Sequence, residues 1–256
     1  MPVIRVNNYI DAYRVRSQAK DIHELAGRPD KQALTEFVNR SILNEIQPGP
    51  EDILVDIGCG DGTLLRMAME YGAECIGITP TAEEKARLEE TLPKLAFKVG
   101  TVQDVPLKPE SASKVVCNAV LCYLSSEEEV KTALQAMARI ARPGATVWVG
   151  EIPEIDEYAH YGMYRGTSMP AFLWHLLTHN GLRSFLGMCR RWMKATLGSE
   201  RIMLNSAGLF HAEPARMVAL AEACGLRLSD HFRHKEMYQQ GHVVDSKFRY
   251  DYVFIR

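Results

Sequence analysis

The stretch VDIGCGDGTLL, residues 55–65, decides how this chain is read. An apolar run ends at Ile57, glycines follow at 58, 60 and 62, and a helical pattern begins at once. Glycine opens left-handed backbone conformations and lets a ligand approach the main chain closely. A strand passed to a helix through such a turn is a ligand-binding unit of α/β proteins. The dinucleotide fingerprint would place its third glycine at 63, where Thr63 stands. Asp56, two residues ahead of the first glycine, would repel a pyrophosphate and attract an ammonium group. Both features count against a nicotinamide dehydrogenase.

Outward from this loop, strand-like runs alternate with helical patterns from about residue 30 to 152. The runs are ILVDI (53–57), ECIGI (74–78), LAFKV (95–99), KVVCNAV (114–120) and ATVWVGEI (145–152). In the helix before the last run, Val130, Ala133, Leu134, Met137 and Ala141 share one face, and Pro143-Gly144 stops it. Such alternation implies βαβ crossovers and a mainly parallel sheet covered on both faces. Residues 1–29 form an N-terminal lid segment, and 30–152 the α/β core. Residues 153–206 interrupt the rhythm as an inserted helical cap. Residues 207–256 complete the core with a helix and an antiparallel hairpin made of LRLSDHFRH and KFRYDYVFIR.

At 256 residues, 46% hydrophobic and with a net charge of −2, the chain has no general attraction for nucleic acid. No run reaches the roughly 18 apolar residues needed to cross a bilayer. The N-terminal stretch lacks a secretory apolar region, and the six cysteines are scattered without a CxxC pair, so a reduced, cytoplasmic setting is expected. No metal site is expected. His175 and His179 have helical i,i+4 spacing but lack a third ligand.

The DIGCGDG loop, the order of elements and the ARPGATVWVGE passage resemble class I S-adenosylmethionine-dependent methyltransferases. The resemblance implies a seven-stranded, mostly parallel, doubly wound sheet with a reversed seventh strand, the Rossmann-like methyltransferase fold. It implies S-adenosyl-L-methionine as cofactor, with Asp56 and the Gly58, Cys59 and Gly60 loop holding its methionine part. Three positions depart from the family pattern. Thr79 replaces the usual ribose carboxylate, Thr101 the acid near adenine, and Lys114 the acid that opens the fourth strand. In IGITPTAEE (76–84) the Thr79 passage is similar to that of the cyclopropane fatty acid synthase subgroup, which places Thr79 or Glu84 on the ribose. The other reading of Glu84 is a capping-box residue facing solvent, three positions after Thr81. Adenine contacts then fall to Thr101, Val102 and Gln103.

Methyl transfer needs an aligned acceptor in a dry site, and often a group that takes a proton. Asn118 and Tyr123 lie at the mouth of the fourth core strand and are expected to bind the cofactor, and Glu151 ends the fifth. Glu151, His160 and His211 are the candidate catalytic residues. Each also has an ordinary reading as a lining, capping or surface group. Met163, Tyr164, Met169, Phe172, Trp174 and Trp192 suggest an apolar small-molecule acceptor or, more simply, the cap's own core. Leu182, Leu186, Cys189, Met193 and Leu197 form one helical stripe. A basic stripe of Arg183, Arg190 and Lys194 reads first as a solvated face, with an anionic lipid surface as the alternative. The expected function is methylation of a small organic molecule. A non-catalytic binding protein on the same fold, or a lipid-modifying enzyme at a membrane surface, are the alternatives.

Overall fold

The computed structural model describes residues 3–6, 10, 11, 13, 14, 22–25, 32–154, 170, 173, 174, 176–197, 202–205, 210–237 and 242–256. The chain opens with β1 (Val3–Val6), a 3-10 turn (Ile22–Glu24) and α1 (Gln32–Ile46). The alternating core follows as β2 (Ile53–Ile57), α2 (Thr63–Ala68), β3 (Glu74–Thr79), α3 (Ala82–Thr91), β4 (Ala96–Val99) and β5 (Ala112–Asn118). After it come α4 (Glu127–Ile140), β6 (Ala141–Pro153), α5 (Gly181–Thr196), β7 (Ile202–Asn205), α6 (Pro214–Glu222), β8 (Arg227–Met237) and β9 (Val243–Ile255).

Side chains alternate across each strand, and the sequence uses both faces. Val55, Val115, Val147, Val149, Tyr252 and Phe254 face a cluster that includes Val130, Leu134 and Met137 of α4. Leu54, Val116, Trp148 and Val253 face the opposite cluster with Ile42 of α1, Leu65 of α2 and Leu88 of α3. Two-sided burial is why these strands read as continuous apolar runs. The stripe expected on α4 is buried as read, from Val130 to Met137, and the chain passes directly from Ile140 into β6. Ser126 caps α4 by accepting the Glu129 N–H, with three glutamates in the first turn favoured by the helix dipole.

The sheet has seven strands in the order β4-β3-β2-β5-β6-β9-β8. β2 to β6 are parallel, whereas β9 runs antiparallel between β6 and β8. The hairpin expected from the last two apolar runs is β8–β9. The chain winds outward from β2 to β4 and then returns to β5, which puts the topological switch point between β2 and β5. Open α/β sheets bind ligands beyond the strand C-termini at such a point.

Two features differ from the sequence reading. β1 pairs in parallel with β7, Val3 opposite Ile202 through Val6 opposite Asn205, so a two-stranded ribbon joins the lid segment to the inserted segment. These strands of four residues carry too little pattern to be seen in sequence. Trp174 and Trp192 are expected to serve an apolar acceptor or the cap's own core, and the α5 residues read as one apolar stripe. Leu182, Leu186, Met193, Leu197, Trp174 and Trp192 are instead exposed. Amphipathic spacing specifies a stripe but not what covers it. His160, Met163, Tyr164, Met169, Phe172 and His175 lie outside the described residues, as does the side chain of His179.

Candidate active site

Three glycines set the shape of the loop after β2. Gly58, Gly60 and Gly62 all have left-handed φ, at 78, 54 and 75°. A Cβ on Gly58 would stand 2.5 Å from Val120 Cγ2, and one on Gly62 2.6 Å from Leu92 Cδ1. Conformation and space both exclude a side chain there. The loop is pinned to β3, because the Gly58 and Cys59 N–H groups donate to the Ile78 carbonyl at 2.9 and 3.2 Å.

Beside it lies a cavity of about 330 Å³. Asp56, Gly58, Cys59, Gly60 and Asp61 form its floor, Asn118, Ala119 and Tyr123 one wall, and Glu151 and Arg249 another. Tyr13, Leu25, Thr35 and Asn39 close it from the N-terminal side, with Tyr13 edge-on to Tyr123 at 6.4 Å.

Asp56 is 5% exposed, and its carboxyl has no hydrogen-bond partner among the described residues. Burial, and then the neighbouring Asp61, push its pKa up from 3.8 to about 7. Asp61, by contrast, is satisfied. It accepts the Thr63 N–H at 3.0 Å and lies 2.8 Å from His23 Nδ1. The Cys59 thiol is also pushed well up, by burial and then by Asp56 and Glu84, which makes it inert as a nucleophile.

Glu151 belongs to a buried polar network. Asn118 Nδ2 donates to its Oε1 at 3.1 Å, and Arg249 Nη1 to its Oε2 at 2.5 Å. Arg249 Nη2 donates to Glu236 at 2.8 Å. Burial opposes the Arg249 charge, but Glu151 and Glu236 outweigh it and hold the guanidinium above its ordinary value. Glu151 sits at φ 59° and Ala119 at φ 57°, left-handed positions that cost a non-glycine residue about 1–2 kcal/mol. Asp251 holds the first by accepting the Glu151 N–H at 2.8 Å, while its other oxygen lies 2.9 Å from His234 Nδ1. Gly150 permits the crowding, since a Cβ there would fall 2.0 Å from Asn118 Oδ1.

At the neighbouring end of β3, Glu84 is 2% exposed and accepts from Thr79 Oγ1 at 2.7 Å and Thr81 Oγ1 at 3.3 Å. Thr81 Oγ1 accepts the Glu84 N–H at 3.2 Å, which completes the N-cap of α3. Glu84 is therefore a capping residue, but a buried one, and Thr79 draws its carboxylate back to the strand end. The Gly100 N–H donates to the Thr79 carbonyl, so the 101–103 turn lies alongside. The Thr101 hydroxyl accepts the Asp104 N–H at 3.1 Å, and Val102 is buried in the core.

Of the residues singled out in sequence, Asp56, Gly58, Cys59, Gly60, Asn118, Tyr123 and Glu151 meet in the cavity. Thr79, Glu84, Thr101, Val102 and Gln103 lie on the adjoining β3–β4 rim and do not line it. His211 is half-buried before α6 and does not line it either. Tyr13, Asn39 and Arg249 were not singled out, nor was His23 beside Asp61. Among these, only Arg249 carried a signal, as one of the charges in the aromatic run KFRYDYVFIR.

The glycine loop, the switch-point cavity and the strand order have counterparts in known proteins. Residues 55–149 match the family model of a methyltransferase domain. The fold is that of class I S-adenosylmethionine-dependent methyltransferases. The chain is 30% identical over 127 residues to norajmaline N-methyltransferase of Rauvolfia serpentina, covering 47% of this chain and 40% of that protein. It is 25% identical over 167 residues to an O-methyltransferase of Pyrenophora dematioidea, covering 58% and 61%. It thus spans less than two thirds of either relative. In structure it is similar to N-methyltransferase NodS of Bradyrhizobium japonicum WM9, solved with S-adenosyl-L-homocysteine. The TM-score is 0.60 at 12% identity, covering 98% of this chain and 99% of that one.

Proposed function

We propose that the chain transfers a methyl group from S-adenosylmethionine to a small organic acceptor. The observation that carries this reading is Asp56, a buried carboxyl with no hydrogen-bond partner among the described residues, facing a cavity beside a glycine loop in which Gly58 and Gly62 leave little room for a Cβ. A desolvated carboxyl is costly unless a cation meets it. The ammonium of the donor's methionine part fits that requirement. When bound, the donor supplies an electrophilic methyl group on a sulfonium.

In this reading Asp56 ionises to hold the ammonium, and the loop at Gly58–Gly60 gives the close backbone approach. The Thr79–Glu84 pair presents a carboxylate at the end of β3 where the family carries one, and we assign ribose recognition to it. This keeps the likeness to the threonine-containing cyclopropane fatty acid synthase subgroup at the level of one motif. Glu151, paired with Arg249 and oriented by Asn118, accepts a hydrogen bond from an N–H or O–H of the acceptor. Tyr13 and Tyr123 exclude water from that end. Positioning of this kind supplies a large part of the acceleration in a displacement reaction.

Titration calorimetry with S-adenosylmethionine and with S-adenosylhomocysteine tests the first half of the proposal. Micromolar binding of at least one is expected, and binding of neither overturns it. Turnover of labelled donor with a panel of small amines, alcohols and acids tests the second half. Tight donor binding without turnover of any acceptor would favour a binding protein.

A further inference from the structure

The α5 helix carries an arrangement that the proposed active site does not use. Residues advance about 100° each along a helix, so Leu182, Leu186, Met193 and Leu197 fall within an arc of roughly 60°. All four are exposed, Met193 at 63% and Leu197 at 83%. Phe185 and Met188, which point elsewhere, are half-buried and form the packing side. Arg183, Arg190 and Lys194 occupy the next arc, beside the apolar one. Trp174 just ahead of the helix is 69% exposed, and Trp192 is partly so. Among the described residues no helix is long and apolar enough to cross a membrane.

The charge pattern says what covers this face. No Asp or Glu occurs between Glu157 and Glu200, a stretch that holds five Arg and Lys residues, although the whole chain carries a net charge of −2. Cations are gathered beside the apolar stripe, and acids are kept away from it. A second copy of the chain docked about a two-fold axis would set this basic arc against itself. An anionic lipid surface satisfies every part of the pattern. Leucine and methionine enter the acyl boundary, tryptophans sit at headgroup level, and arginine and lysine meet phosphate.

We propose that α5 is an interfacial helix that seats the protein on an anionic bilayer surface, with its apolar arc inserted and its basic arc at the headgroups. The inference is independent of the methyl-transfer reading and implies nothing about the acceptor.

Vesicle flotation of the full chain tests it. Vesicles of phosphatidylcholine alone are compared with vesicles containing about a third phosphatidylglycerol. Binding to the anionic vesicles is expected at low salt, with loss at high salt as the charges are screened. Leu186→Asp with Met193→Asp should abolish flotation. Arg183→Glu with Arg190→Glu should reduce partition by more than about tenfold. All four side chains are at the surface, so unchanged thermal melting is the control for folding. Failure of the unaltered protein to float with anionic vesicles at low salt overturns the proposal. Equal binding to both vesicle types overturns its electrostatic part. A vesicle-free dimer, or a complex with an acidic protein, that the Asp pair dissociates would overturn it in favour of a protein partner.

Discussion

Asp56 and Glu84 are both buried carboxylates near the C-terminal ends of adjacent strands, yet they are treated in opposite ways. Glu84 receives hydrogen bonds from Thr79 and Thr81 and closes the cap of α3. Asp56 has no hydrogen-bond partner for its carboxyl among the described residues and rises to a pKa of about 7. Glu151, another buried acid, resembles Glu84, because Arg249 and Asn118 satisfy it. A fold that can satisfy two buried acids has the means to satisfy a third. The charge left unmet at Asp56 among the described residues therefore marks where a ligand cation is expected, whereas Glu84 and Glu151 have protein partners.

The strongest way to break this contrast is to make Glu151 resemble Asp56. Arg249→Met removes the cation from Glu151 and Glu236, and should cost about 3 kcal/mol of stability, measured by urea unfolding at pH 8. A loss below about 1 kcal/mol would show that water reaches Glu151 freely. Next in size, Asp56→Asn removes the charge offered to the donor. Its affinity for S-adenosylhomocysteine should fall about 100-fold by calorimetry, since a buried charge pair is lost.

The same substitution should act in the opposite sense on the free protein. A carboxyl with pKa about 7 folded and 3.8 unfolded binds its proton more tightly when folded. Stability is thus highest below about pH 4 with respect to this group and is lost as pH rises to about 7. The full difference is on the order of 4 kcal/mol for a shift of this size. Thermal melts of the unliganded protein at pH 5 and pH 8 should therefore converge in Asp56→Asn.

Smaller effects separate the two duties of Glu84. Glu84→Gln keeps an oxygen for Thr79 and Thr81 but removes the charge, and should weaken donor binding about tenfold, the scale of one charged hydrogen bond. Thr81→Ala loses the cap bond and the longer of the two hydroxyl bonds to the Glu84 carboxylate, and keeps that from Thr79. It should cost about 1 kcal/mol of stability and leave donor affinity within roughly twofold. Equal affinities in Glu84→Gln and the unaltered protein would leave Glu84 as a helix cap only.

The sequence shows most plainly what is local. The alternating runs place β2 to β6, and the glycines with Asp56 declare their loop, because a turn and its strand lie within a dozen residues. The satisfying partners are far apart in the chain. His23 meets Asp61 across 38 positions, Arg249 meets Glu151 across 98, and Asp251 reaches the Glu151 N–H across 100. Nothing near Glu151 announces them. Periodicity also fails where environment decides. The α5 stripe has the spacing of a core helix, and only the folded chain shows that Leu182, Leu186, Met193 and Leu197 lie outside. The sequence leaves Glu84 as either an exposed cap or a ligand contact, and the folded chain shows a cap that is buried and hydrogen-bonded by Thr79 and Thr81.

The most direct test is the pH dependence of donor affinity, measured by calorimetry from pH 5 to 9 on the unaltered protein and on Asp56→Asn. If Asp56 must ionise to hold the ammonium, affinity should be level just above about pH 7, until the donor's own ammonium begins to lose its proton, and fall about tenfold per unit below about pH 7. The dependence should vanish in the variant. An affinity that stays constant across this range in the unaltered protein would contradict the assignment of Asp56 as the cation-holding group.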